Sequence, residues 1–218
     1  MQRQRMLDEL AGRILSVKRD HPSRVGVDGV DAAGKTVLAD ELARVLQMRG
    51  VTVIRASIDG FHRPRVERQA RGKFSPEGYY LDSFNYDALI RSLLAPLGPG
   101  GSRRYQTSVF DFIHDSAVEA EEHLAAAGDI LLMEGVFLFR PELEQYWDFK
   151  IFVDVSFETN LARALKRDGY LFGEEDEILQ RYMRRYIPGQ KMYLNAVQPM
   201  RKADVVIDNN DFANPYFK

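Results

Sequence analysis

Eight consecutive residues, Gly29 to Thr36, read GVDAAGKT and satisfy the pattern G-x-x-x-x-G-K-[ST] at every constrained position. Loops of this kind bind the phosphates of a nucleoside triphosphate. Glycines let the backbone curl until successive N–H groups form an anion nest, and the following helix presents its positive N-terminal end to the same phosphates. Gly29, Asp31, Ala32, Ala33, Gly34, Lys35 and Thr36 are the expected contacts. Lys35 would reach the β- and γ-phosphates, and Thr36 would hold Mg²⁺ through its hydroxyl. Asp31 is the odd member, because phosphates repel a carboxylate placed inside an anion-binding loop. It must turn away, toward the acceptor, toward an arginine of the 63–71 stretch, or simply into solvent beside the loop.

Two more carboxylates stand where chemistry is expected. In open α/β sheets ligands bind outside the carboxyl ends of the strands. Asp59 ends one strand-like run in Ser57-Ile58-Asp59-Gly60-Phe61, and Glu134 ends another in Leu132-Met133-Glu134-Gly135. Phosphoryl transfer needs a triphosphate cradle, a metal held by a hydroxyl and carboxylates, and a base for the acceptor's proton. Thr36, Asp59 and Glu134 fit the metal role, and Asp59 also fits that of the base. Arg63, Arg65, Arg68, Arg71 and Lys73 follow Asp59 closely enough to meet an anionic group on a substrate, or else form a solvated loop.

The elements that must position these residues are legible from periodicity. Arg24–Asp28 reads as a short buried strand before the loop, while Val37, Leu38, Leu42, Val45 and Leu46 fall at helical spacing after it. Further strand-like segments recur at 51–58, 129–136, 149–155 and 203–207, and their unbroken apolar runs suit strands buried on both faces. The spacing predicts an α/β fold in which helices flank both faces of a parallel sheet. Leu7, Leu10, Ala11, Ile14 and Val17 predict an amphipathic first helix. The turn-rich PLGPGG at 96–101 predicts an insertion over the active site, with 102–108 as a hairpin on the sheet edge. Tyr182, Tyr186 and Tyr193, with Met183 and Ile187, predict the packing of a C-terminal helix.

With 218 residues, 45% of them hydrophobic, the chain is read as a single domain over 1–218. A net charge of −2 supplies no general field for nucleic acid, and no cysteine is available as a nucleophile, thiolate ligand or disulfide partner. His21, His62, His114 and His123 lack metal-site spacing. With neither a signal core nor a membrane-length apolar run, the expectation is a cytoplasmic protein that contacts no membrane. A homo-oligomer is compatible with these features.

From Val25 to Asn209 the chain resembles the superfamily of uridine kinase, phosphoribulokinase and pantothenate kinase. Besides the loop, the similar segments are Asp59-Gly60-Phe61, Asp82-Ser83-Phe84-Asn85, Val109-Phe110-Asp111-Phe112, Glu134-Gly135, the stretch Arg163 to Asp168, and Pro199 followed by Ala203-Asp204-Val205-Val206-Ile207. The resemblance implies a P-loop NTPase-type parallel sheet with a small lid and an edge insertion. It makes Asp59 the catalytic base and a magnesium neighbour, Glu134 a second metal-side carboxylate, and Asp82 a contact to acceptor hydroxyls. Arg163 and Arg167 become lid arginines beside Lys35 in the catalytic set. Where uridine kinases direct a tyrosine and a histidine at the base, this chain carries Phe110 and Asp115, with His114 one residue early. The further lid arginines are replaced by GYLFGEE at 169–175, and Asp59-Gly60-Phe61 is spelled as in pantothenate kinases.

The expected activity is Mg²⁺- and ATP-dependent transfer of a phosphoryl group to a small-molecule hydroxyl, the 5′-hydroxyl of a pyrimidine nucleoside first and pantothenate or another small alcohol second. A regulatory nucleotide switch is the rival reading. It lacks the N-K-x-D of guanine-reading proteins and leaves Asp59 and Asp82 without a purpose.

Overall fold

The computed structural model describes residues 2–167, 169 and 174–218. Its frame is a six-stranded sheet built from β1 (Ser23–Gly29), β2 (Val53–Ser57), β3 (Ile130–Gly135), β4 (Phe149–Asp154), β5 (Val205–Asp208) and β6 (Tyr216–Phe217). The order across the sheet is β6-β5-β4-β1-β3-β2. The first five strands run parallel, and β6 joins β5 antiparallel at one edge. Strands β1 and β3 are buried along their whole length, as their unbroken apolar runs require, whereas edge strand β2 alternates buried with half-buried residues.

Each face of the sheet has its own core. Helix α1 (Gln2–Ser16) lays Leu7, Leu10, Ala11 and Ile14 against α2 (Lys35–Met48) and the β-strand residues Val25, Val27, Ile130, Leu132 and Ile151. Their strand neighbours Leu131, Met133 and Phe152 point to the opposite face, alternating as the pleat demands. That second core takes in Tyr79 of α3 (Pro76–Asp82), the helical stretch Tyr86–Leu94, residues 136–147, and Tyr193 and Val197. After β4 come α4 (Phe157–Arg167), α5 (Glu175–Arg181), a π-helical turn at Tyr182–Tyr186, and α6 (Ile187–Val197).

The insertion differs from the expected edge hairpin. Arg104–Tyr105 pairs with His123–Leu124, and Phe110–Asp111 pairs with Ser116–Ala117, as two small separate sheets. The second lies over the segment that leaves β2, where Val109 N–H donates to Gly60 O at 2.9 Å, and the first packs beside the helical stretch ending at Leu94, where Gln106 N–H donates to Ser92 O at 2.9 Å. A Cβ on Gly60 would lie 2.8 Å from Ser108 Cβ, so this close approach is what requires glycine there. Among the described residues, no helix is long and apolar enough to cross a membrane.

Candidate active site

A cleft of about 1020 Å³ opens where β1, β2 and β3 end. Register explains the convergence. Glu134 lies between Val27 of β1 and Ser57 of β2, and Asp59 follows two residues beyond Ser57, whose hydroxyl accepts from the Asp59 N–H at 3.3 Å. Lys35, Thr36, Asp59, Glu134 and Asp31 all line this cleft, together with Arg65, Arg68, Lys73, Arg167, Arg181 and Arg185.

The loop has the shape its sequence predicts. Gly29 passes so close to β4 that a Cβ would lie 2.4 Å from Val153 O, and Gly34 adopts φ 88 immediately before α2. Lys35 is buried and donates to Val30 O at 2.7 Å, closing the loop on itself with its ammonium group at the cleft. Asp31 does turn away from the loop's interior, although its partners are not arginines. It accepts from Tyr79 Oη and Gln190 Nε2, each at 2.7 Å, while its own N–H donates to Gln190 Oε1 at 3.2 Å. Asn160 Nδ2 holds the Asp31 carbonyl, and Asn209 Nδ2 holds that of Ala33 at 2.7 Å. The anion-repelling carboxylate is thereby fixed by two neutral donors.

Burial in the cleft raises Asp59 to about 6, helped by the charge of Asp31 and opposed by Lys35, Arg167 and Arg68. Its side chain is 55% exposed, so solvent screens part of this until a substrate fills the space. Glu134 is also raised, chiefly by burial and then by Asp59, with Lys35 pulling the other way. His62, 3.8 Å from Asp59, is held down at about 4, first by burial and then by Arg68 and Arg185 against the hydrogen bond to Asp59 O. It is therefore neutral at physiological pH. Hard oxygen donors on Thr36, Asp59 and Glu134 facing one cleft suit Mg²⁺, and the glycine-shaped loop with Lys35 suits a triphosphate.

Several expected site residues lie elsewhere. Asp82, at the end of α3, accepts from Arg71 Nε at 2.7 Å and does not line the cleft, because the α3 turn directs it toward that arginine. Phe110 is buried in the insertion, and His114 points to solvent with its ring on Asp111 at 2.6 Å. Asp115, in a left-handed turn at φ 54, accepts from Arg65 N at 2.8 Å and from Arg68 Nη2 at 3.0 Å. It thus holds the cleft wall from behind, while Phe112 and Ile113 face inward. Of the two α4 arginines, Arg167 lines the cleft. Arg163 turns the other way, donating to Asn209 O at 2.7 Å and Asn210 O at 3.0 Å. Of the motif Arg163 to Asp168 and the segment 169–175, Asp168 and residues 170–173 lie outside the described residues.

Other residues have roles that motif spacing did not reveal. Asp28, one residue before the loop, is fully buried and raised to about 6 by that burial, against hydrogen bonds from Tyr193 Oη and the N–H groups of Gly29 and Phe139. The signal was a carboxylate inside an apolar strand. Tyr79, Gln190 and Arg185 carried no such signal. Their contribution arises where α3, α6 and the π-helical turn meet the loop.

Comparison with known proteins agrees with this geometry. The profile of the Phosphoribulokinase / Uridine kinase family matches residues 25–212. Uridine-cytidine kinase B of Dictyostelium discoideum is 30% identical over 190 residues, covering 86% of this chain and 74% of that protein. A uridine kinase of Chlamydia pneumoniae is 26% identical over 189 residues, covering 85% of this chain and 81% of that protein. Longer uridine-cytidine kinases are matched over only 36% and 33% of their length. The fold is shared with a possible uridine kinase from Bacillus stearothermophilus at a TM-score of 0.75 and 24% identity, covering 94% of this chain and 99% of that one. The chain belongs to the phosphoribulokinase/uridine kinase family and is a uridine kinase-like P-loop phosphotransferase.

Proposed function

We propose that the protein uses ATP with Mg²⁺ to phosphorylate a hydroxyl on a small-molecule acceptor. The observation that carries this reading is the meeting of Lys35, Thr36, Asp59 and Glu134 in one cleft at the carboxyl ends of three adjacent parallel strands. The loop amides and Lys35 bind the triphosphate. Thr36, Asp59 and Glu134 would hold the magnesium ion, which when bound supplies charge neutralisation between the phosphates. Asp59 accepts the acceptor's hydroxyl proton as the oxygen–phosphorus bond forms and the bond from the γ-phosphorus to the bridging oxygen of ADP breaks. Lys35 and Arg167 offset charge on the transferring group.

The names of the relatives support a pyrimidine nucleoside as acceptor, with its 5′-hydroxyl as the nucleophile. A small polar alcohol such as pantothenate is the second reading, favoured by Asp82 being engaged by Arg71 rather than turned toward a ribose. An ADP-release screen with uridine, cytidine, pantothenate and simple sugars tests both readings. Stimulation above basal hydrolysis by one of these acceptors, lost in Lys35→Ala, is the expected result. No stimulation by any of these acceptors would remove both readings of the acceptor, and ADP release that survives Lys35→Ala would remove the kinase reading.

A further inference from the structure

One wall of the cleft carries more positive charge than a triphosphate loop and a single lid arginine account for. Beyond Lys35 and Arg167, the lining residues Arg65, Arg68, Lys73 and Arg185 gather around the segment that leaves Asp59, with Arg68 paired to Asp115 at 3.0 Å and Lys73 to Glu177 at 3.2 Å. The most informative of them is Arg185. Its residue exposure is only 7%, and its guanidinium donates to backbone carbonyls alone, those of Lys73 at 2.9 Å, Arg68 at 3.3 Å and Gly72 at 3.5 Å. Tyr186 and Tyr79, whose ring lies 5.7 Å from the guanidinium, favour its charge, Arg68 and Arg181 repel it, and among the described residues it makes no ion pair with a carboxylate. A buried cation held among cations is costly unless an anion joins it.

The local backbone is arranged to keep it there. The π-helical turn Tyr182–Tyr186 inserts a wider helical repeat between α5 and α6, and it brings Tyr182, Arg185 and Tyr186 to the same cleft. Turns of this kind occur mostly at functional sites. Asp115 pins Arg68 and the backbone of Arg65 from outside the cleft, and Arg65 itself has no ion pair among the described residues. Both Arg68 and Arg185 act on His62, which stands 3.8 Å from Asp59, so this wall faces the place where an acceptor hydroxyl must sit.

We infer that Arg65, Arg68, Lys73 and Arg185 form an oxyanion subsite for the acceptor, so that the substrate is an alcohol bearing a carboxylate or phosphate group. This rests on the kinase reading for its hydroxyl, and it narrows the acceptor from a neutral nucleoside to an anionic alcohol. Arginine forks bind carboxylate and phosphate oxygens in pairs, and a subsite on the wall opposite the loop would orient the free hydroxyl toward Asp59.

The test has two arms. In the first, the full chain is saturated with Mg²⁺ and a non-hydrolysable ATP analogue, so that the loop is filled, and inorganic phosphate is titrated while the melting temperature is followed. A saturable rise beyond that of sodium chloride at equal ionic strength is expected, with apparent affinity weakened at least about tenfold in Arg65→Ala and in Arg185→Lys. No saturable rise overturns the subsite. An Arg185→Lys variant that melts earlier yet binds phosphate as the parent does would make Arg185 a strut and remove it from the subsite. In the second arm, ADP release is measured with a hydroxycarboxylate against its amide and a sugar monophosphate against the free sugar. A higher kcat/KM for the charged member of one pair, by about tenfold or more, is expected and identifies the anion. Neutral members or uridine matching the charged ones overturns the inference while leaving the kinase intact. Phosphate binding without ADP release from any acceptor would fault the kinase reading alone.

Discussion

In the proposed reaction, Asp59 is asked to do two things that set opposite demands on its acidity. A magnesium neighbour must be ionised, while a base that takes a hydroxyl proton works best with its pKa close to the working pH. A value near 6 meets both demands above neutrality, and its causes are the cleft walls and the charge of Asp31, with Lys35 as the main brake. Two outcomes follow at this scale. Asp59→Asn should lower kcat by about 10²-fold while ATP affinity stays close to the parent's, because an amide cannot take the proton. Separate ATP titration and steady-state kinetics check this, and an equal collapse of both would confine Asp59 to the metal side. In the parent, kcat, which reports the filled cleft, should fall on the acid side with an apparent pKa near 6, since Asp59 must be unprotonated to act. A profile flat down to pH 5 would place the base elsewhere.

At the scale of elements, the loop depends on α6 more than its own sequence suggests. Gln190, 1% exposed, grips Asp31 at both its N–H and its carboxylate, so that the charge which would repel phosphate is kept off the nest. Gln190→Ala leaves Tyr79 as the remaining side-chain partner of that carboxylate, and losing such a buried polar contact costs about 1–3 kcal/mol. ATP should then bind roughly tenfold more weakly, with a smaller change in kcat, as read by nucleotide titration. Unchanged ATP affinity with a lowered melting temperature would reduce Gln190 to packing. The sequence shows the loop, the five parallel strands and the carboxylates at their ends, because buried parallel strands are contiguous apolar runs and their polar end residues stand out. It conceals what depends on how elements meet. Asp82 and Asp115 sit in segments similar to family motifs, but the α3 turn aims Asp82 at Arg71 outside the cleft, and a left-handed turn sets Asp115 behind the cleft wall, on Arg68 and the backbone of Arg65. Arg163 and Arg167, one helical turn apart on α4, face different neighbours. The π-helical turn reads in sequence as ordinary helix, so Arg185 has no signal of its own.

Across the whole molecule, the groups that arm the site also set how stability responds to acid, and they do so with opposite signs. Asp28 is fully buried and raised from 3.8 to about 6, so its ionisation costs the folded state stability above pH 3.8, fully so above about 6. Going from pH 7.5 to pH 5 should therefore return about 1 kcal/mol, and raised Glu134 acts in the same direction. His62 is lowered from 6.5 to about 4, so between those values the unfolded chain binds a proton that the folded one refuses. Over the same pH interval it should remove about 2 kcal/mol. Asp59, also raised to about 6 but screened by solvent at 55% side-chain exposure, adds to the carboxylate side; the opposing effects nearly cancel, and the parent's unfolding free energy should change little between pH 7.5 and pH 5. His62→Gln does not titrate and keeps a donor for the Asp59 carbonyl, which the histidine ring contacts at 3.0 Å. It should unmask the carboxylates, making the variant more stable at pH 5 than at pH 7.5 by about 1 kcal/mol or more. Urea denaturation of parent and variant at both pH values measures this. A variant with no gain at pH 5 would show that Asp28 and Glu134 ionise in the folded protein as easily as in the unfolded chain, and the buried carboxylate beneath the loop would then have no influence on the protein's response to acid.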